Sequence, residues 1–135
     1  MSLNYGNFDG PSRSGITTTG AAVAFTFAKI VSTAKEATLF APAGNAEQTF
    51  GIFMDAAAVG DPVSVAFGGT GRLLVDGNAA AIAVGDYLDS DASGYGTKIA
   101  TDQANYSAIA MDPSTAAGDL IRVYIAPPGS ERSTA

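Results

Sequence analysis

The sequence predicts an all-β protein, a small β-barrel or sandwich built from repeated short strands and Gly-Asp turns. Three observations carry that expectation. Apolar residues recur with period two rather than 3.6, so successive side chains point to opposite faces of short strands. Gly, Asp and Asn sit between those runs, where tight turns are needed. One Ile/Met/Asp…Gly-Asp pattern occurs twice.

Residues 1–15 are rich in Asn, Gly, Ser and Asp, with Tyr5 and Phe8 as large side chains and Pro11 and Gly15 as punctuation. This composition predicts an extended N-terminal arm, with Tyr5 and Phe8 as anchors for a contact outside the chain. Residues 16–126 form the expected domain, and 127–135 (Pro127, Pro128, Gly129 and onward) read as a flexible tail. Within the domain, period-two runs fall at Val23/Phe25/Phe27, Phe50/Ile52/Met54, Val63/Val65/Phe67 and Ile121/Val123/Ile125. Weaker strands fit 37–41, 72–76, 86–89 and 96–101. Gly68-Gly69-Thr70-Gly71 reads as a short hairpin joining two strands, and Asp76-Gly77-Asn78 and Ser93-Gly94 sit where turns are needed. Alanine propensity allows a helical turn over 79–84.

The repeat is the most specific feature. Ile52-Phe53-Met54-Asp55 leads to Gly60-Asp61 and then Val63, Val65 and Phe67. Ile109-Ala110-Met111-Asp112 leads to Gly118-Asp119 and then Ile121, Val123 and Ile125, and a partial copy holds Ile82, Gly85-Asp86 and Leu88. Glycine accepts the positive φ such a turn requires, and Asp bonds backbone N–H groups at the next strand's start.

Several strands are apolar on their second face as well. Phe53, Leu74 and Tyr124 point opposite to Ile52, Val75 and Val123, where a half-exposed sheet would carry polar groups. Phe53, Leu74 and Tyr124 are therefore candidates for a subunit interface. Coverage by the chain's own loops, or an alanine-rich outer face, accounts for the pattern equally well.

Composition narrows function. The chain has 135 residues, no Cys and no His, which removes thiolate chemistry, zinc–cysteine sites and the commonest general base. Hydrophobic residues make up 47% and charged residues only 15%, with a mean hydropathy of +0.19, so part of the exterior is expected to be covered by other subunits. A net charge of −6, and Lys and Arg scattered along the chain, argue against nucleic-acid binding. No segment reads as a secretory signal or membrane span.

Six of the thirteen carboxylates (Asp9, Asp61, Asp76, Asp86, Asp112, Asp119) stand beside Gly or Pro, as turn caps do, and no catalytic residue is assigned. Asp89-Ser90-Asp91-Ala92-Ser93-Gly94 opens like a calcium loop, but Ala100 occupies the place of the required Glu, so no metal site or cofactor is assigned either.

With those turns laid out, the chain resembles tailed-phage capsid decoration (cement) proteins of the small β-barrel type. The likeness lies in Gly-Ile-Phe-Met-Asp at 51–55, Val-Gly-Asp-Pro-Val-Ser-Val at 59–65, Ala-Ile-Ala-Val-Gly-Asp-Tyr-Leu at 81–88 and Ala-Gly-Asp-Leu-Ile-Arg-Val-Tyr-Ile at 117–125. The resemblance implies a homotrimer on the outer surface of the virion capsid, made in the host cytoplasm, that stabilises contacts between major capsid proteins. A carbohydrate-binding or adhesin module is the alternative, with Tyr87, Tyr95 and Tyr106 as its candidate aromatic platform.

Overall fold

The computed structural model describes residues 8–17, 20–34, 37–45, 47–99 and 106–127. These form strands only: β1 (Ser12–Thr17), β2 (Phe27–Ala34), β3 (Ala37–Pro42), β4 (Gly51–Phe53), β5 (Pro62–Ala66), β6 (Thr70–Asp76), β7 (Tyr87–Ser90), β8 (Gly96–Lys98), β9 (Ala108–Ala110) and β10 (Ala117–Ile125). The all-β expectation holds, but the strands close into two rings rather than one. The first ring runs β1-β3-β2-β4-β5 and returns to β1; the second runs β6-β8-β7-β9-β10 and returns to β6.

The two rings share one topology. In each, the first and third strands pair parallel and every other pair is antiparallel. Registers match as well. Phe27 faces Ile52 and Ile52 faces Ala66 in the first ring; Tyr87 faces Ile109 and Ile109 faces Tyr124 in the second. An isolated bridge joins Ala22 to Ala57 in one barrel and Ile82 to Ser114 in the other. The repeat legible at 52–67 and 109–125 is thus the closing pair of strands of two complete barrels.

The Gly-Asp turns behave as their chemistry requires. Gly60 and Gly85 have φ of 92° in their turns. Gly118, at φ 84°, lies instead inside β10 where its register with β6 shifts, so the turn expected at Gly118-Asp119 is a bulge in that strand. Asp61 N–H donates to Ala58 C=O at 3.0 Å and Asp86 N–H to Ala83 C=O at 3.1 Å. The Asp86 carboxylate accepts from Ala83 N–H at 2.8 Å. A third turn of the same kind lies at Val23–Thr26, and there Phe25 takes the glycine's place at φ 68°. A bulky residue in this region carries about 1–2 kcal/mol of strain. Its ring stacks on Phe8 at 6.0 Å and 9°, which offsets part of that cost.

Several expectations are corrected. Residues 23–26 form that turn, and the strand begins only at Phe27. Residues 79–84 hold a turn and the Ile82 bridge, not a helical turn, because the bridge to Ser114 fixes them as extended chain. The 68–71 turn joins β5 to β6, which belong to different barrels and do not pair, so it is an inter-barrel link and no hairpin. Within the described residues the arm is also much shorter than expected. Ser12–Thr17 is β1, which pairs with both β3 and β5 and is needed to close the first ring.

The core follows the rings. Ala22, Ala28, Phe40, Phe53, Val63 and Val65 cluster in the first barrel. Leu73, Val75, Leu88, Ala110, Ile121 and Val123 are in a second cluster, which also takes in Phe8, Phe27 and Ile52. That second cluster is the second barrel's interior continued into the junction with the first.

Candidate functional site

Because the two barrels are repeats, two equivalent surfaces can be compared. On the first barrel, alternation along β2, β4 and β5 turns Ala28, Phe53 and Val65 inward and Phe27, Ile52 and Ala66 outward. All three outward residues are nonetheless 0% exposed. The second barrel covers them. Phe27 N–H donates to Gly94 C=O at 2.8 Å, and Leu74 N–H donates to Phe25 C=O at 2.8 Å. A Cβ on Gly94 would touch Thr26 and the carbonyls of Ala43 and Phe27, so the β7–β8 hairpin lies directly on the first barrel. The buried hydroxyls of Thr49 and Ser107 bond across the junction at 2.7 Å. The two barrels are one body with one seam.

On the second barrel the equivalent outward residues are Tyr87, Ile109 and Tyr124. Tyr87 and Ile109 are half-buried and Tyr124 is 45% exposed. The Tyr106 ring lies 4.7 Å from that of Tyr87, tilted by 60°. Tyr95 sits apart on the β7–β8 hairpin, its N–H bonded to Asp91 at 2.9 Å. The three tyrosines proposed as a flat platform are therefore not brought together as one, since two are tilted and the third belongs to another face.

Of the other interface candidates, Phe53 must be withdrawn: it is 0% exposed inside the first barrel, so no partner can reach it. Its alternation was sound, but inward and outward were exchanged with Ile52. Leu74 is half-buried on the outer face of β6 at the seam, and Tyr124 alone is openly exposed. Phe8 is corrected in the same way. It is 8% exposed and packs where a Cβ on Gly71 would stand, in the end of the second barrel. Tyr5 lies outside the described residues.

A shallow cavity of about 190 Å³ opens beside Phe8, lined also by Asp9, Thr70, Arg72, Met111 and Arg122. Its carboxylate is already engaged: Asp9 accepts from Thr70 N–H at 2.7 Å and from the Thr70 hydroxyl, and these bonds hold its pKa below the ordinary aspartate value. At the rim, Asp112 accepts from Arg122 Nη2 at 2.7 Å, from Nε at 3.0 Å and from its backbone N–H at 2.9 Å. Those bonds, led by the Arg122 side chain, lower Asp112 to about 2. The arrangement locks charges in place and leaves this cavity no free base.

The Asp89–Gly94 stretch is likewise a turn device. Asp91 accepts from Ser93 and Tyr95 N–H groups at 2.8 and 2.9 Å, and Asp89 accepts from Ser90 N–H at 2.8 Å. Burial raises the Asp89 pKa despite bonds from Ser90 and Ser107.

The sequence profile described as phage cement protein matches residues 12–125. The chain belongs to the phage cement protein family.

The matched span runs from the first residue of β1 to the last of β10, so the family unit is both barrels together. No curated protein matches the chain. Among solved structures, the head fiber gp8.5 N base of bacteriophage phi29 superimposes with a TM-score of 0.67 at 14% identity. The superposition covers 85% of this chain and 92% of that one, and it supports the fold. As a cement protein, the chain is a structural component of the phage head with a capsid-decorating role.

Proposed function

We propose that this cement protein binds the outer surface of a tailed-phage head as a homotrimer and ties neighbouring major capsid proteins together against the pressure of packaged DNA. The family match across both barrels carries the reading. The geometry suits it, since a clamp needs rigidity and area rather than a reactive group. Two closed rings with a common seam supply the rigidity. Chain preceding Phe8, including Tyr5, is proposed to contact the capsid. An acidic exterior limits adhesion to nucleic acid.

The test is to add purified protein to heads assembled without it. Saturable binding to the outside of the shell, with raised resistance to heat or osmotic shock, is expected. Absence of saturable binding would overturn the proposal.

A further inference from the structure

We infer that Arg72, with Arg122 beside it, is a binding site for a carboxylate side chain of the protein that this chain decorates. The two arginines stand directly opposite each other on β6 and β10, on the outer face of the barrel. Like charges placed directly opposite destabilise a sheet. The fold itself does not ask for them. By register Arg72 corresponds to Ser14 on β1 and Arg122 to Ser64 on β5, and those serines also face each other. The surroundings are repeated too. Met54 N–H donates to Ser64 C=O at 2.9 Å, just as Met111 N–H donates to Arg122 C=O at 2.9 Å. One barrel closes with a neutral pair where the other carries two positive charges.

Those two charges are not equally satisfied. Asp112 accepts from Arg122 Nη2 and Nε, which holds the Arg122 side chain in place. Elsewhere Arg13 donates to the Thr38 hydroxyl, Lys29 pairs with Glu47 and Lys98 with Asp86. Arg72 has no hydrogen bond or ion pair with any described residue, and its charge reaches Asp112 only through space. Asp9 borders the same cavity but is not its partner, because Thr70 engages both Asp9 oxygens.

The class of ligand follows from the cavity. Arg72 and Arg122 line the hollow of about 190 Å³ described above, together with Asp9 and Met111. Asp9 and Asp112 repel a doubly charged anion such as phosphate more strongly than a singly charged one. A carboxylate carries a single charge, and its two oxygens match the planar fork of a guanidinium. Met111, 39% exposed, offers an apolar edge to the methylene groups of an Asp or Glu side chain. For the identity of the partner the inference rests on the cement reading.

The experiment measures how wild type, Arg72→Ser, Arg72→Lys and Arg72→Glu bind heads assembled without the protein, at several salt concentrations. The melting temperature of each free variant is recorded alongside. Arg72→Ser copies the first barrel and relieves the like-charge pair, so it is expected to melt at or slightly above wild type. Its binding to heads is expected to weaken about 30-fold or more, as for removal of one member of an interfacial charge pair, and to depend less on salt. Arg72→Lys keeps the charge without the fork and is expected to fall between the two. Arg72→Glu is expected to show no measurable binding.

Unchanged binding by Arg72→Ser overturns the inference while leaving the cement role standing. A clearly lowered melting temperature of Arg72→Ser overturns it as well, since the group facing Arg72 would then belong to the chain itself. Wild type that fails to bind heads overturns the cement reading, and the inferred partner with it.

Discussion

In the first barrel, Phe40 on β3 fills the space over Gly15 on β1; in the second, Leu73 on β6 fills the space over Gly96 on β8. A Cβ on Gly15 would come within 2.5 Å of the Phe40 ring, and one on Gly96 within 2.6 Å of Leu73 Cδ2. By register, Gly15 corresponds to Leu73 and Phe40 to Gly96. The large and small residues have changed places between neighbouring strands. The same exchange occurs across β2 and β4, where Ala28 and Phe53 correspond to Leu88 and Ala110. A small closed barrel fixes the volume inside it more tightly than the position supplying that volume. What both repeats keep at fixed places is Ile52 with Ile109 on the wall, and a positive-φ glycine near the start of the last strand, Gly60 with Gly118.

The largest effect tests whether the barrels are separable. Deleting residues 1–15 removes most of β1 and the Phe8 plug, so it is expected to abolish the cooperative thermal transition of both barrels together. Deleting only residues 1–7 should leave the melting temperature close to wild type. A 1–15 deletion that kept a native-like transition would break the view of one fused body.

Next in size is Phe53→Ala, which empties the first barrel and should cost about 3–5 kcal/mol by denaturant unfolding. Adding Ala28→Leu reproduces the second barrel's Leu88/Ala110 arrangement and should recover at least about 1 kcal/mol of that loss. Additive or worse behaviour of the double variant would show that the exchanged pairs are not interchangeable.

A smaller gain is expected at Thr17. Its side chain is buried inside the first barrel, and its hydroxyl finds no hydrogen-bond partner among the described residues, while Val75 stands at the equivalent place. Thr17→Val should therefore stabilise by about 1 kcal/mol, since it removes an unsatisfied polar group. The smallest effect is at the rim. The folded pKa of Asp112, about 2, lies below the ordinary value, so the contribution of its Arg122 bonds is present above about pH 4. It is lost as pH falls toward 2. Asp112→Asn should therefore lower the melting temperature slightly at neutral pH and flatten its decline across that window.

Much of this was legible in the sequence, and the parts that were not have identifiable reasons. Alternation revealed β5 and β10, and the matching Gly-Asp turns exposed the repeat. β1 reads as arm in the sequence because Ser12-Arg13-Ser14-Gly15 carries no apolar alternation. It needs none, since Phe40 fills the space over Gly15 from β3. The first ring's opening turn was hidden because Phe25-Thr26 stands where its equivalents read Gly-Asp. With that copy disguised, one barrel was the natural reading of what are two. Phe53 was misassigned because both faces of β4 are buried, one inside a barrel and one at the seam, and alternation alone cannot tell them apart. The doubly apolar strands did signal a covered face; in the first barrel the cover is the chain's own second half.

The seam also governs how the chain must be made. A ribosome that has released residues 1–68 has delivered every strand of the first ring. It has delivered none of the surface that covers Phe27, Ile52 and Ala66. Until β10 completes the second ring, the nascent chain carries an apolar wall suited to its own later half and open to any neighbouring nascent copy. Phe8, the first described residue, meanwhile has no barrel to plug until Gly71 and Ile125 arrive. Folding therefore commits late, and a truncated product is a sticky one.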